Sequence, residues 1–189
     1  MNLDLSILDA LNSLTGQGRI PDLLIIFFAN YLVYVFAIIA VLYWFWHSAK
    51  FVARKAVTLA AISFILARLI VTELIRYLYF RSRPEIVHPI INMTPKQSES
   101  AFPSGHATGM FSIAMAIYFY NKKLGWLLLV MSVITAIARV SIGVHYPSDV
   151  AAGAIIGILT AWITEKTLSG KIDNFVRKLS DFSDRIFKL

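Results

Sequence analysis

The chain has 189 residues and a formal net charge of +7; 58% of its residues are hydrophobic and 15% are charged. With a mean hydropathy of +0.68, this composition excludes an ordinary soluble domain of the same size and is typical of a protein that crosses a membrane several times. The absence of cysteine excludes disulfides, thiolate metal sites and a cysteine nucleophile. The basic residues flank apolar runs, which favours anionic lipid over nucleic acid as a partner.

Residues 1–20 lack the basic start and the small-residue cleavage site of a removable signal peptide. Apolar residues recur within them at helical spacing: Leu3, Ile7, Leu11 and Leu14. The pattern predicts a short helix in the membrane interface, closed by the glycines at Gly16 and Gly18, and the alternative is an unstructured start.

The first apolar run, from Leu23 to Trp46, has the ~20 residues that a helix needs to cross a bilayer core. It ends in tryptophans and is followed by basic residues, which predict a cytoplasmic end. These basic residues are His47, Lys50, Arg54 and Lys55.

The second apolar run extends from about Ala56 to Phe80 and contains Arg68, Glu73 and Arg76. Charges inside a span usually face a bundle interior or a polar cavity. Glu73 precedes Arg76 by three residues, the spacing of an ion pair on a helix. Arg68 has two interpretations: it neutralises a buried partner, which we favour, or it belongs to a headgroup pocket.

Residues 81–102 are polar and contain Pro84, Pro89 and Pro95, which excludes a membrane span. We expect a loop that lies over the functional site as a partial lid. Three of its polar residues are predicted to contact a lipid headgroup: Lys96, Gln97 and Glu99.

Three further spans are predicted in the second half of the chain: residues 105–120, 126–139 and 146–162. The first is rich in small residues that permit close helix packing. In the last, Gly153 and Gly157 form a small-xxx-small pattern. In a protein with five spans this pattern favours internal packing over dimerisation, and the oligomeric state stays open.

The C-terminal segment has the pattern of a basic amphipathic helix. Its apolar residues recur every three or four positions: Ile172, Phe175, Val176, Leu179, Phe182, Ile186 and Leu189. The pattern predicts a helix on the anionic cytoplasmic membrane surface, with docking on a protein partner as the alternative. The predicted fold is an all-α bundle of about five transmembrane helices, with a membrane-embedded domain (residues 1–168) and a C-terminal amphipathic helix (residues 169–189).

A histidine precedes an aspartate by four residues at His145 and Asp149, with Pro147 between them. Proline is favoured in the first turn of a helix, so a helix is predicted to begin near Pro147 and to hold Asp149 close to the imidazole. The carboxylate then accepts the proton of one ring nitrogen and leaves the other as a nucleophile or base, with Arg139 as a nearby cation. Taken alone, the pair is equally compatible with an ordinary solvated contact.

Two other blocks lie at the edges of apolar runs. Pro103 to His106 contain a serine and a glycine where a long apolar run begins, and helix N-termini of this kind bind phosphate through free backbone N–H groups. Upstream, an apolar run ends with Arg76, Arg81 and Arg83. These blocks combine cations, a phosphate seat and two histidines.

Together the three blocks resemble the signature of the type 2 phosphatidic acid phosphatase superfamily, membrane lipid phosphatases related to the vanadium haloperoxidases. The family pattern is a lysine followed after six residues by Arg-Pro, then Pro-Ser-Gly-His, then Ser-Arg, five residues, His, three residues and Asp. The chain departs from it at Arg76, where the family has lysine, and at Ala138, where the family has serine. Arginine keeps the charge of lysine but changes its shape.

The resemblance implies hydrolysis of a phosphate or diphosphate without a metal or cofactor. His145, oriented by Asp149, is the expected nucleophile that forms a phosphohistidine, and His106 is the expected general acid and base. The other motif residues are expected to bind the phosphoryl oxygens: Arg76, Arg83, Ser104, Gly105 and Arg139.

The resemblance also implies a membrane lipid as the substrate. Undecaprenyl diphosphate, the lipid carrier of peptidoglycan biosynthesis, is the first expectation. The alternatives are phosphatidylglycerophosphate, phosphatidic acid and lipid A 1-phosphate, or, in another class of protein, a lipid-phosphate transferase or transporter. Basic loops near Lys50 and Lys122 are expected inside, which places Arg83, His106 and His145 on the periplasmic or extracellular side of the plasma membrane.

Overall fold

The computed structural model describes residues 3–46, 49–95 and 98–187, and in these ranges the chain forms helices and loops without any strand. The helices are α1 (Leu3–Asn12), α2 (Arg19–Asn30), α3 (Leu32–Trp46), α4 (Lys50–Phe64), α5 (Thr72–Leu78), α6 (Pro84–Val87), α7 (Gly105–Tyr120), α8 (Lys122–Ser141), α9 (Pro147–Leu168) and α10 (Asp173–Phe187). A π-helical segment, Ile65–Val71, joins α4 and α5 into one continuous helical rod. The all-α prediction is confirmed.

All five predicted apolar runs form helices. Within the described part of the chain, three helices are long and apolar enough to cross a membrane: Lys50–Leu78, α8 and α9. A fourth candidate is the pair α2 and α3, which bends by 54° beside Tyr31. The remaining run, residues 105–120, forms α7, which has 16 residues and is ~24 Å long at 1.5 Å per residue, shorter than the ~30 Å hydrocarbon core.

Helix α7 lies at the centre of the bundle and packs against α4, α8 and α9. The glycines of α9 make this contact close. A side-chain carbon at Gly157 would clash with the backbone carbonyl of Thr108, and one at Gly153 would lie 2.7 Å from the carbonyl oxygen of Ser104. The small-xxx-small pattern therefore serves internal packing, as predicted.

Glu73 accepts hydrogen bonds from both arginines of the second span. Its carboxylate is 3.5 Å from Nη1 of Arg76, which confirms the predicted pair, and it also accepts a hydrogen bond from Arg68. The π-helical register is visible at Thr72, whose hydroxyl donates to the carbonyl of Ala67 at 2.9 Å, five residues earlier. Glu73 is thus the partner of Arg68, but 49% of its side chain is exposed, so it is not the buried partner that we favoured from the sequence.

Helix α1, predicted as a short interfacial helix, packs against α8 and α9. Leu8 is fully buried, whereas Leu3 and Leu14 of the predicted apolar stripe are exposed. Asn12 is also buried, and its amide donates to the carbonyls of Ile91 and Ser141 at 2.8 Å. One face of α1 is thus tied to the bundle. Leu11 of the predicted stripe also packs against this face of the bundle, beside Val140.

Helix α10 lies at the opposite end of the bundle from α1. Polar groups of α10 contact α4. The guanidinium of Arg54 donates to both carboxylate oxygens of Asp184, at 2.8 and 2.6 Å, and Lys55 pairs with Asp173 at 2.6 Å. The apolar side chains Phe175, Phe182 and Ile186 are exposed. The helix is therefore held by these ion pairs together with the fully buried Val176, and the three exposed residues of the predicted apolar stripe are free to face a membrane.

Some residues of the sequence-based interpretation lie outside the described ranges. They are Lys96 and Gln97 of the predicted headgroup contact, His47 of the first basic loop, and Leu189 of the C-terminal stripe.

Candidate active site

Five helix ends meet where the three sequence blocks converge. The N–H of Ser104, before α7, donates to the carbonyl of Asp149 in α9 at 3.0 Å. Arg83 donates through Nη1 to the carbonyl of Val144 at 3.3 Å. Arg76, at the end of the second span, donates through Nη2 to the carbonyl of Pro103 at 3.2 Å. The blocks are therefore in direct contact at one end of the bundle.

His145 and Asp149 form the innermost pair of this cluster. Their side chains are 1% and 0% exposed. The predicted hydrogen bond between them is not formed, because Nδ1 of the imidazole lies 3.7 Å from Oδ2 of the carboxylate. The same oxygen accepts the backbone N–H of Tyr146 at 2.8 Å, so Asp149 also caps α9. Gly143, with φ of +81°, turns the chain between α8 and His145 in a conformation that favours glycine. The predicted helix start at Pro147 is confirmed.

Burial lowers the pKa of His145 well below its ordinary value of 6.5. The surrounding cations, Arg139, Arg83 and Arg76, lower it further, and a hydrogen bond with the backbone of Ala101 opposes them. A neutral imidazole keeps a lone pair at neutral pH, which is the form that a nucleophile requires.

The predicted arginines are held by other parts of the protein. Arg139 is 3% exposed and donates through Nη1 to the side-chain oxygen of Asn30 at 2.7 Å. Glu99 holds the other two: its carboxylate accepts from Arg76 at 3.2 Å and its backbone carbonyl accepts from Arg83 at 3.0 Å. Because guanidinium groups fixed in this way lose little entropy on binding, the cluster is preorganised for an anion.

Several buried polar atoms in the described part of the site have no hydrogen-bond partner within the protein. They are the hydroxyl of Ser104, Nε of Arg76, Nε of Arg139 and Nδ1 of His145. Such atoms are rare in folded proteins and each calls for an explanation. Other atoms of this kind lie elsewhere in the described chain, but these four lie beside three arginines, as an anion-binding site predicts.

His106 lies in the first turn of α7 and is partly buried. Its imidazole is within electrostatic range of His145, Arg139 and Arg83. It lines a cavity of about 80 Å³ together with Gly105 and Arg68. A side-chain carbon at Gly105 would lie 2.5 Å from Nε of Arg68, so a larger residue there would require this arginine to shift.

No group of three or more His, Asp or Glu side chains is placed to hold a metal ion among residues 3–46, 49–95 and 98–187.

The structure adds residues that sequence reasoning did not assign to the site. Asn30 holds Arg139, as described above. Glu99 was predicted from the sequence to contact a headgroup, and the structure places its oxygens against Arg76 and Arg83. Arg81 donates to Oδ1 of Asp149 at 2.6 Å, and Asp4 of α1 pairs with Arg81 at 2.8 Å. Arg81 was visible as one of three clustered arginines, whereas Asn30 and Asp4 lie far away in sequence and carry no local signal.

The sequence pattern of the PAP2 superfamily matches residues 56–172. The chain is 28% identical over 186 residues to "Undecaprenyl-diphosphatase BcrC" of Bacillus subtilis, covering 98% of this chain and 92% of that one. It is 35% identical over 152 residues to "Bacitracin transport permease protein BcrC" of Bacillus licheniformis, covering 80% of this chain and 73% of that one.

Among solved structures, the chain is similar to LpxE of Aquifex aeolicus. The TM-score is 0.71 at 24% sequence identity, and the match covers 88% of this chain and 96% of that one. A likeness at this identity establishes a shared helical fold.

Proposed function

Because this chain belongs to the PAP2 superfamily, it is a multi-pass membrane lipid phosphatase, and we propose that it hydrolyses undecaprenyl diphosphate to undecaprenyl phosphate and inorganic phosphate. The observation that carries the proposal is the cluster of buried, unpartnered polar atoms around His145. The similarity to an undecaprenyl-diphosphatase over nearly the whole chain favours this lipid over the alternatives.

In the first step, His145 attacks the terminal phosphorus in line with the leaving oxygen. The new bond joins the imidazole nitrogen to phosphorus, and the phosphoanhydride P–O bond breaks. His106 donates its proton to the leaving oxygen, which departs as undecaprenyl phosphate. Asp149 stabilises the positive charge that develops on the imidazole of His145.

In the second step, His106 accepts a proton from water, and the resulting hydroxide attacks the phosphohistidine. The P–N bond breaks, inorganic phosphate leaves, and His145 returns to its neutral form. His106 thereby regains the proton that it donated in the first step. The low pKa of His145, which follows from its burial among cations, makes the imidazole a good leaving group as well as an available nucleophile.

The arginines supply charge stabilisation. Phosphoryl transfer spreads negative charge over three equatorial oxygens, and catalysis depends mainly on positioning and electrostatics. Arg76, Arg83 and Arg139 bear the positive charges, while the hydroxyl of Ser104 and the N–H of Gly105 offer further donors. Removing one such donor typically costs about 10²- to 10³-fold in rate.

Two adjoining cavities support a lipid leaving group. The small cavity at His106 is also lined by Val33 and Phe64, and the same two residues line an apolar cavity of about 340 Å³. This larger cavity lies between α3 and α4 and includes the exposed Ile65. A tail attached to the oxygen that His106 protonates can therefore continue between these helices into the bilayer.

The proposal includes the orientation of the protein. The site and α1 lie at one end of the bundle, and α10 with its cationic residues lies at the other. The positive-inside rule favours α10 on the cytoplasmic side. The site then faces the periplasm or the extracellular space, where the undecaprenyl carrier of cell-wall synthesis would be dephosphorylated.

The test is phosphate release by the purified protein in detergent with EDTA present. Undecaprenyl diphosphate, phosphatidylglycerophosphate and phosphatidic acid are assayed in parallel. We expect the highest kcat/KM for the diphosphate, and we expect His145→Ala to abolish turnover while His88→Ala, at a partly exposed loop histidine, keeps it.

Each contrary result has a definite meaning. A preference for a monophosphate ester would overturn the assignment of undecaprenyl diphosphate. Full activity of His145→Ala would overturn the phosphohistidine mechanism. Release from none of the lipids by the folded wild-type protein would overturn hydrolysis in favour of transfer or transport, the function that the name of the Bacillus licheniformis relative indicates for that protein.

A further inference from the structure

Asp149 is held on both of its oxygens by groups other than His145. Oδ2 accepts the backbone N–H of Tyr146 at 2.8 Å, and Oδ1 accepts Nη1 of Arg81 at 2.6 Å. These two donors fix the rotation of the carboxylate, and with it the 3.7 Å separation between Oδ2 and Nδ1 of His145. Arg81 therefore touches the catalytic pair without belonging to the anion site.

Arg81 is itself fixed from the other side by the N-terminal helix. Its Nη2 donates to Oδ2 of Asp4 at 2.8 Å, and its guanidinium stacks on the ring of Tyr146 at 3.9 Å from the centroid. Ser148 completes the arrangement: its backbone N–H donates to Asp4 at 2.9 Å, its hydroxyl also donates to Asp4, and its hydroxyl oxygen accepts from Arg81 at 2.7 Å.

Asp149 is the most deeply buried residue in this chain of contacts. Asp149 is 0% exposed, Arg81 is 24% exposed and Asp4 is 18% exposed. A fully buried carboxylate needs a fixed counter-charge, because an unpaired charge in that position is costly. The arginine that supplies this charge is held in place by a carboxylate of α1, which lies outside the family-matched residues 56–172.

We propose that Asp4 and Arg81 form a pair of positioning residues that fixes the Asp149 carboxylate against His145, so that the N-terminal helix is part of the catalytic apparatus. The inference rests on the proposed function, since it concerns the orientation of the nucleophile. Neither Asp4 nor Arg81 contacts the substrate; they act through Asp149. Their effect therefore falls on the chemical step and leaves substrate binding intact.

The first experiment compares two neutralising substitutions on the same helix. Asp4→Asn removes the charge that holds Arg81 and keeps the shape of the side chain. Asp9→Asn makes the same change at an exposed position of α1. We expect Asp4→Asn to lower kcat about tenfold, the scale of losing a group that orients a reactive side chain, with KM within about twofold. Asp9→Asn is expected to match the wild type.

Two further variants separate positioning from a structural role. Asp4→Glu keeps the carboxylate and is expected to recover most of the rate that Asp4→Asn loses. Arg81→Lys removes the forked geometry that reaches Asp4 and Asp149 together. If Asp4 acts through Arg81, adding Asp4→Asn to Arg81→Lys lowers kcat little further, because residues acting as a unit are non-additive.

The outcomes are distinguishable from failure of the proposed function. Wild-type protein that releases no phosphate from any lipid overturns that function. Active wild type with equal kcat in Asp4→Asn and Asp9→Asn overturns the positioning role alone. The positioning role is also overturned if Asp4→Asn changes only KM, or if the losses in kcat of Asp4→Asn and Arg81→Lys multiply in the double variant. Should Asp4→Asn fail to fold, Asp4→Glu and Arg81→Lys decide the matter by the same kcat and KM comparison.

Discussion

Gly153 lies where α9 packs against Ser104 of the phosphate seat, and its replacement by alanine tests whether this contact sets the geometry of the site. The added carbon would lie 2.7 Å from the carbonyl oxygen of Ser104 and 3.0 Å from the side chains of Ala107 and Thr108. The obstructing atom at Ser104 belongs to the backbone, so it cannot move aside like a flexible side chain. Alanine therefore pushes the start of α7 away from α9.

The size of this displacement follows from the contact distances. An ordinary contact begins at 3.4 Å, so the two backbones must separate by about 0.7 Å to relieve the clash fully. A misplacement of about 1 Å costs ~10²-fold in catalysis, so we expect a loss of about tenfold in kcat.

Overpacking costs about 1–3 kcal/mol, and alanine recovers about 1 kcal/mol of helix propensity, which leaves a net destabilisation of at most ~2 kcal/mol.

The assay is phosphate release in detergent, with Gly170→Ala as the matched control. A side-chain carbon at Gly170 meets nothing within 4 Å, so this variant is expected to keep wild-type activity. Thermal unfolding in the same detergent shows whether Gly153→Ala remains folded at the assay temperature. Wild-type kcat in folded Gly153→Ala would refute the argument that the contact between Gly153 and Ser104 sets the site.

Three further predictions concern other parts of the protein. His145 stays neutral in the folded state, whereas its ordinary pKa is 6.5. The protein therefore loses stability as pH falls below 6.5, by at most about 1.4 kcal/mol per pH unit. Thermal unfolding of His145→Gln is expected to show a weaker pH dependence than that of the wild type. Vanadate, which mimics the five-coordinate phosphorus, is expected to inhibit competitively in initial-rate assays, and EDTA is expected to leave the rate unchanged. Asp184→Asn leaves the buried Arg54 without its bidentate partner and is expected to speed proteolysis between α9 and α10. Asp181→Asn, at an exposed position, is expected to leave the rate unchanged. Equal cleavage rates in the two variants would contradict a docking role for Arg54 and Asp184.

Much of the fold follows from local properties of the sequence. Apolar runs must become helices in a membrane, because no solvent is available there to satisfy the backbone, and all five runs are helical. Their bounds are less certain from the sequence, since the first run is divided beside Tyr31 into α2 and α3, which meet at 54°. Pro147 begins a helix for the same local reason, namely its fixed φ. The three blocks around Arg83, His106 and His145 are recognisable by spacing alone, and the helix order brings them to one end of the bundle.

The orientation of the amphipathic helices was decided only by tertiary contacts. The apolar periodicity of α1 predicts a stripe through Leu3 and Leu14, but the packed face is the one with Leu8 and Asn12. A hydrophobic stripe shows which side avoids water, and in a membrane protein that side can face lipid instead of protein. Helix α10 follows the same rule, since its polar side docks through Arg54.

The sequence by itself identified the candidate residues for the chemistry, because a phosphate site needs cations, free N–H groups and a nucleophilic histidine in recognisable blocks. The tertiary structure decided what holds them. Asn30 reaches Arg139 and Asp4 reaches Arg81 across long stretches of chain. A supporting hydrogen bond requires only that two atoms meet, and no periodicity or spacing in the sequence records where two distant helices will touch.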